Sequence, residues 1–297
     1  MNKLNTQERA RIISCLAEGC SLRATVRLTG FSRKGVSATL VNAGKACLEY
    51  HDKIMRNLPC KVIQVDEVWS FTYCKHMNIP ERLKDEKGVG DTWTWIAIDA
   101  DTKLIPSWHV GDRSTDSASF FIADLKDRLA NRIQLTSDGH RPYLEAVEGA
   151  FGSEVDYAML IKLFGKSLDR DNRYSPPRCI GVRRRRIKGK PDRKLVSTSF
   201  VERQNMTLRM QNRRFTRLTN AFSKKIENHR YALAIHFMHY NFCRIHQTLR
   251  VTPAMEAGIA KHVWSCDELA ALPAPKQNTA TANELPKKVL DSNPKTV

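Results

Sequence analysis

The sequence has few of the features that mark membrane or secreted proteins. Its longest stretch without a charged residue, Tyr231–Cys243, has 13 residues and contains two histidines, whereas a membrane-spanning helix needs roughly 20 apolar residues. The first segment, MNKLNTQERARII, carries charges where a signal peptide has an apolar core. We therefore expect no membrane partner and a cytoplasmic location.

Motifs for nucleotide cofactors and for cysteine-based metal sites are also missing. No glycine-rich phosphate loop, dinucleotide fingerprint or serine-hydrolase elbow occurs, so no nucleotide cofactor is expected. The eight cysteines are scattered without a C-x-x-C pair, which argues against a zinc knuckle and predicts free thiols.

Acidic residues are scarce beside basic ones. The 297 residues include 49 Lys and Arg against 31 Asp and Glu, a formal net charge of +18. With 41% hydrophobic and 27% charged residues, the composition is that of a globular protein, and the length predicts two folded units. A globular protein with this excess of positive charge most often binds nucleic acid.

Residues 1–48 have the pattern of a helix-turn-helix domain. A helix at 6–18 is followed by a short helix from Ser21, a tight turn at 29–31 and a new helix capped by Ser32. In DNA-binding domains of this kind the last helix enters the major groove. We therefore predict an all-α, DNA-binding domain at the N-terminus.

Arg33 and Lys34 open this last helix and are candidate DNA contacts, because the first turn of such a helix faces base edges and phosphates. A three-helix packing module is the alternative interpretation, since Gly35 is unusual inside a recognition helix. Residues 49–60 are expected to form a linker, as the end of a helix that covers 42–60 and stops at Leu58-Pro59.

Strands and helices alternate in the second unit, which we expect to span 61–260. In chain order the pattern predicts strands at 62–71, 92–100 and 104–111, a helix at 114–130, a strand at 133–139 and a helix at 142–151. Residues 157–164 fit either a strand or a short helix. The first three strands indicate an antiparallel meander, and the whole indicates a mixed α/β sheet with helices on its faces.

The densest positive charge lies in a polar segment, 165–194, which we expect to be a loop inserted in this unit. Between residues 178 and 194 nine side chains are Lys or Arg and one is Asp, enough to attract a phosphate backbone. The candidate DNA contacts here are Arg183, Arg184, Arg185 and Arg186. A solvated insertion is the alternative, and 261–297 is expected to be a weakly structured tail.

Three carboxylates have positions that suggest a metal site. Asp66 lies inside an apolar strand, Asp138 at the carboxyl end of a later strand, and Glu202 at the start of a helix. They are 72 and 64 residues apart, so only folding can bring them together. Their oxygens suit hard cations, and we expect two Mg²⁺ ions, with Mn²⁺ as a substitute, for phosphodiester chemistry.

Each acid also has a purely structural explanation. Asp66 would be an edge-strand charge, Asp138 a turn former, and Glu202 the last residue of an S-x-x-E capping box that starts at Ser199. Glu67 is a rival of Asp66, but neighbouring residues of a strand face opposite sides, so only one of the two is expected in the site.

A further basic residue accompanies the last of these acids. Arg209 follows Glu202 by seven residues, nearly two helical turns, so both are expected on one helix face. Arg209 is therefore a candidate phosphate contact, with a solvated arginine as the alternative.

The ordered combination of these motifs resembles the DDE transposases of bacterial insertion sequences, most closely the insertion-sequence-one type. The resemblance covers roughly 60–260 and rests on VDEVWSF (65–71), TWTWIAIDADTKLIPSWHVGDRS (92–114), TSDGHRPY (136–143), FVERQNMTLRMQNRR (200–214) and YNFCRIHQTLRVTPAMEAGI (240–259). It implies an RNase H-like catalytic fold, Mg²⁺-dependent cleavage at the ends of an element, and attack of the freed 3′-hydroxyl on target DNA.

Carried over residue by residue, the resemblance makes Asp66, Asp138 and Glu202 the metal-binding catalytic triad and Arg209 the basic residue that follows it. It implies double-stranded DNA as the partner, both element ends and target, and with it a nucleoid-associated protein that forms a homo-oligomer in the synaptic complex. The cysteine-based zinc motif that members often carry ahead of the helix-turn-helix is not visible here. A DNA-binding regulator derived from a transposase and a nuclease that only hydrolyses DNA are the alternative functions.

Overall fold

A six-stranded mixed sheet organises the chain in the computed structural model, which describes residues 4–165, 179–216 and 219–273. The strands are β1 (Val62–Thr72), β2 (Gly90–Asp99), β3 (Trp108–Gly111), β4 (Ile133–Ser137), β5 (Val155–Phe164) and β6 (Cys179–Lys188). Across the sheet their order is β3-β2-β1-β4-β5-β6. This arrangement confirms the predicted mixed α/β class.

The sheet combines two kinds of pairing. β1, β2 and β3 pair antiparallel, as the predicted meander requires, with Asp66 opposite Ile96 and Ile96 opposite Trp108. β4 and β5 run parallel to β1, and β6 returns antiparallel to β5. Because β1, β4 and β5 share one direction, their carboxyl ends lie toward the same end of the sheet.

Helices cover both faces of the sheet. They are α1 (Thr6–Ala17), α2 (Leu22–Thr29), α3 (Arg33–Ile54), α4 (Thr115–Arg128), α5 (Pro142–Phe151), α6 (Ser199–Gln211), α7 (Ile226–Met238), α8 (Pro253–Glu256) and α9 (Cys266–Ala271). On one face, Phe121 of α4 and Val147 of α5 pack with Val65 of β1. On the other, Leu208 of α6 and Phe237 of α7 close a second core. We call these faces the α5 side and the α6 side.

The basic segment is a strand where the structure describes it. Residues 179–188 form β6, so the expectation of a loop through 165–194 was wrong for this part, while 166–178 lie outside the described residues. The sequence shows no apolar alternation because β6 is an edge strand, whose backbone pairs with β5 while most of its side chains stay exposed. Residues 157–164 belong to β5, which decides between strand and helix.

The N-terminal helices begin and end at the predicted signals. Ser21 and Ser32 accept hydrogen bonds from the first turns of α2 and α3, and Gly30 ends α2 in the left-handed conformation. α3 then runs without a break to Ile54, through the boundary expected at residue 48. α3 packs along α7 and α1 packs against α9, so these helices share the larger core with the sheet.

The C-terminal part of the described chain is helical in short pieces. A π-helical turn (His239–Cys243) extends α7, and α8 and α9 follow. α9 lies inside the segment expected to be a weakly structured tail, of which residues 274–297 are outside the described part. Among the described helices, none has both the length and the apolar character that crossing a membrane requires.

Gly44 lies at the contact of α3 with α7. A Cβ atom on Gly44 would clash with Cβ of Tyr231 and lie 2.7 Å from its Cα, so Gly44→Ala should lower the free energy of unfolding by about 1–3 kcal/mol, the usual cost of overpacking. Gly149 of α5 has no atom within 4 Å of the same position, and Gly149→Ala should raise stability by up to about 1 kcal/mol. Urea denaturation compares the two; effects of the same sign would contradict this packing.

Candidate active site

β1 and β4 separate at one end of the sheet. Their parallel pairing stops where Gln64 lies opposite Thr136, and β4 itself ends one residue later, at Ser137. β1 continues beyond this point, held by β2. A gap therefore opens past the end of β4, where no described strand pairs with the edge of β1 opposite β2. Side chains from both faces of β1 can reach this gap.

Asp66 approaches this gap from the α6 side. Two residues earlier, the side chain of Gln64 accepts hydrogen bonds from the backbone N–H groups of Phe200 (2.8 Å) and Val201 (3.2 Å), which fixes the start of α6 on β1. One turn further along α6, the amide of Asn205 donates to Oδ2 of Asp66 at 2.8 Å. The helix therefore orients the carboxylate of Asp66.

Glu67 approaches the gap from the α5 side. Its carboxylate accepts two hydrogen bonds from Arg113 (2.7 and 2.9 Å) and one from the hydroxyl of Tyr143 (3.2 Å). Although neighbouring residues of a strand face opposite sides, an oxygen of each of Asp66 and Glu67 lies within 4.8 Å of the other and of Asp138. The two side chains contact opposite faces, but no described strand separates their ends.

Asp138 directly follows β4, at the predicted strand end. Its Oδ1 accepts a hydrogen bond from the backbone N–H of His140 at 2.9 Å. The ring of His140 packs against Trp95 and Tyr143, with ring centres 5.8 and 5.9 Å away. This short turn and its aromatic support fix the carboxylate at the open end of β4.

Asp66, Glu67 and Asp138 together form what we call the acidic cluster. Arg113 compensates the charge of Glu67, but among the described residues no Lys or Arg forms an ion pair with either aspartate. Burial, and after it the carboxylates of Glu67 and Asp138, raise the pKa of Asp66 to about 8. The buried Oδ1 of Asn205, next to the amide nitrogen that contacts Asp66, has no described hydrogen-bond partner. Crowded oxygens with too little positive charge fit a hard divalent cation.

Glu202 lies one turn before Asn205 on α6 and is not part of the acidic cluster. Its Oε2 accepts a hydrogen bond from Lys162 and its Oε1 from Thr198, both at 2.5 Å. α6 begins at Ser199 without a side-chain cap, so the S-x-x-E capping box that was the structural explanation for Glu202 is not formed. Side chains, rather than the backbone, hold both of its oxygens.

The four arginines predicted to contact DNA are divided between the two faces of β6. Opposite residues of an antiparallel pair point to the same side. Arg184 and Arg186 pair with residues of β5 that share a side of the strand with Lys162, which contacts Glu202 of α6. Arg183 and Arg185 pair with residues that belong to the core on the α5 side. All four are exposed. The basic run is therefore two pairs, only one of which shares a side with α6.

The remaining predicted DNA contacts lie on two helices. Arg33 and Lys34 are exposed in the first turn of α3. Arg209 is half-buried in the last turn of α6, the helix that also carries Glu202. The structure thus brings Asp66 and Asp138 together, places Glu202 on the helix that contacts Asp66 but outside the acidic cluster, and keeps the N-terminal basic residues on a separate element.

Three residues that hold the acids in place were not predicted from the sequence. Arg113, Lys162 and Asn205 each contact a different carboxylate. Asn205 had a signal, because it follows Glu202 by three residues and so shares a face of α6. Lys162 had none, since its position beside α6 depends on the register of β5 in the sheet.

Comparison with known proteins gives weak structural likenesses. No protein-family model matches the sequence, and no curated protein matches it. The simian T-cell lymphotropic virus intasome in complex with PP2A regulatory subunit B56 gamma has a TM-score of 0.41 at 12% identity, over 93% of this chain and 80% of that chain. The piggyBac transposase synaptic complex with hairpin DNA has a TM-score of 0.39 at 9% identity, over 88% of this chain and 68% of that chain. The Mos1 transposase paired-end complex with left transposon end has a TM-score of 0.22 at 12% identity, over 52% of this chain and 60% of that chain. At these scores the likenesses assign no residue a role.

The raised pKa of Asp66 predicts a pH-dependent stability. Folded Asp66 binds its proton more tightly than an unfolded aspartic acid does, so the free energy of unfolding of the metal-free protein should fall as the pH rises from about 4 to about 8. Asp66→Asn should remove at least about 1.4 kcal/mol of this fall, the free energy that corresponds to a shift of one pKa unit. Urea denaturation in a chelating buffer measures it, with Asp127→Asn, an exposed acid of α4, as the control. A fall as large in Asp66→Asn as in the wild type would contradict this account.

Proposed function

We propose that this chain is a DNA transposase of the DDE class and the insertion-sequence-one type, which cleaves DNA at the ends of a mobile element and joins them to target DNA. The position of the acids supports this function most directly. Asp66 and Asp138 share a gap at the end of two parallel strands, and α6 carries Glu202 one turn from the Asn205 that contacts Asp66. Acids that can bind metal, next to basic side chains, are what phosphodiester transfer requires.

Asp66, Asp138 and Glu202 are the residues that would hold Mg²⁺, or Mn²⁺ in its place, as two ions. When bound, the metal supplies the positive charge that stabilises the attacking and leaving oxygens of the phosphodiester. The side-chain amide of Asn205 donates a hydrogen bond to Asp66 and so fixes the orientation of its carboxylate. The backbone N–H of His140 does the same for Asp138.

We assign Glu67 a supporting role. Its carboxylate is already satisfied by Arg113 and Tyr143, and its side chain is only 1% exposed. The guanidinium of Arg113 also lies over the ring of Trp93, 4.6 Å from its centre. Glu67 therefore fixes Arg113 at the border of the acidic cluster, where a half-exposed cation can approach a DNA phosphate.

The DNA backbone would lie along the α6 side. Lys162, Arg184 and Arg186 present cations there, and Arg209 stands in the last turn of α6. Contacts of this kind hold the duplex in register without reading its sequence, and their strength falls with salt.

We assign recognition of the element ends to residues 1–48. α2, the left-handed turn at Gly30 and α3 have the order of a helix-turn-helix, and Arg33 and Lys34 occupy the first turn of α3, the part that meets the major groove in such motifs. Residues 61–260 would be the RNase H-like catalytic domain. Synapsis of two ends requires more than one copy, so we propose a homo-oligomer assembled on DNA in the nucleoid.

Strand transfer is the reaction that tests this function. With Mg²⁺ or Mn²⁺, the wild-type chain should nick a labelled DNA that carries the parent element's end and join it to a target plasmid. Asp138→Asn removes a metal ligand but no phosphate contact. It should therefore abolish both reactions, by more than the roughly 100-fold that removal of a residue supporting a metal ligand costs, while leaving the affinity for DNA nearly unchanged.

Asp127→Asn, the exposed acid of α4, is the matched control and should retain both reactions. Cleavage without joining would instead make the chain a nuclease. Tight binding to the element end with no cleavage under either metal would make it a regulator. Either outcome, or an active Asp138→Asn variant, would contradict the transposase proposal.

The division of the arginines of β6 gives a sharper test of the DNA path. Arg184→Ala with Arg186→Ala should lower the slope of log affinity against log salt by about 0.9 for each phosphate that these side chains neutralise in the wild type. Arg183→Ala with Arg185→Ala removes the same charge from the α5 side and should change the slope less. Filter binding or fluorescence anisotropy between low and moderate salt measures both. Equal changes would mean that DNA does not distinguish the two sides.

A further inference from the structure

β5 carries a lysine past the end of its neighbour. The last pair of β4 with β5 joins Ser137 to Met159, whereas β5 continues to Phe164. Lys162 is therefore beyond the end of β4, at the same open end of the sheet as Asp138. Its partner in β6 is Val182, and its contact with α6 shows that it lies on the α6 side.

Lys162 occupies one oxygen of Glu202, and a threonine occupies the other. The ammonium is 2.5 Å from Oε2, and the hydroxyl of Thr198 is 2.5 Å from Oε1. The side chains of Lys162 and Glu202 are each 36% exposed. In this arrangement Glu202 makes its contacts with the protein and stays apart from the acidic cluster, although it lies on the helix that orients Asp66.

The charges around Glu202 explain why a cation lies there. The negative charges of three other carboxylates raise the pKa of Asp66, and among the three Glu202 has the smallest effect. The ammonium of Lys162 offsets part of this negative charge in the absence of metal. A divalent ion bound by Glu202 would meet that ammonium on the same carboxylate, and two cations so close repel each other.

We propose that Lys162 is a positioning residue that holds Glu202 in the metal-free protein and is exchanged for the divalent ion when the acids bind it. The proposal rests on the metal site of the proposed function. The exchange is feasible because a half-exposed ion pair contributes little to stability, and because the lysine stem is long enough for its ammonium to turn toward solvent or a phosphate.

Direct titration with Mn²⁺, followed by the electron paramagnetic resonance signal of the free ion, tests the exchange without DNA or turnover. Lys162→Gln and Lys162→Met should bind Mn²⁺ roughly two- to fivefold more tightly than the wild type, the factor that loss of a weak ion pair corresponds to. Lys162→Arg keeps the charge and the contact and should match the wild type. Arg184→Gln removes a charge from the same side without touching Glu202, and should change affinity less.

Thermal melting of each variant without metal shows that it is folded before it is titrated. Unchanged or weaker Mn²⁺ binding by both neutral Lys162 variants would overturn the exchange. An equal gain in Arg184→Gln would overturn it too, because general charge repulsion would then account for the effect. Asp138→Asn separates this failure from that of the metal site itself. If the wild type and Asp138→Asn bind Mn²⁺ equally, the site of the proposed function is wrong.

Discussion

Repulsion between carboxylates is the constraint around which one end of the sheet is arranged. Asp66, Glu67 and Asp138 lie close together there, and Glu202 is on α6, the helix that contacts Asp66. Each of the four acids meets a different donor: Glu67 an arginine, Glu202 a lysine, Asp66 an amide and Asp138 a backbone N–H. The donors come from separate elements, so the acids are compensated only once the sheet, α6 and the turn after β4 are in place. Among the described residues, the two glutamates are paired with full positive charges and the two aspartates are not. The remaining demand for a cation is therefore concentrated between Asp66 and Asp138.

Features that depend on neighbouring residues were predictable from the sequence. The cap at Ser32 and the left-handed turn at Gly30 follow from side-chain chemistry within a few positions. Asp66 and Asp138 were also found locally, since a charge inside an apolar strand and an acid at a strand end both stand out. The grouping of Glu67 with them was not predictable, because it depends on β4 stopping while β1 continues. That relation is set by pairing between distant segments.

The wrong expectation of a loop at β6 has a physical cause. β6 is an edge strand with solvent on much of its surface, so its sequence carries none of the alternation that burial of one face imposes. The helix predicted through residue 42 and beyond is the second half of α3, which continues to Ile54 and packs along α7. For β6 the missing information lies in the partner strand rather than in the segment.

The arginine run of β6 also restricts how two copies of the chain can meet. Among the described strands, β6 and β3 are the edges of the sheet, and an open edge offers backbone groups to which a further strand can add. Along β6, such an addition would set one row of guanidinium groups against an identical row, and like charges directly opposite each other disfavour pairing. The other described edge, β3, is only four residues long and so offers few backbone groups for pairing. Two copies are thus discouraged from fusing their sheets edge to edge.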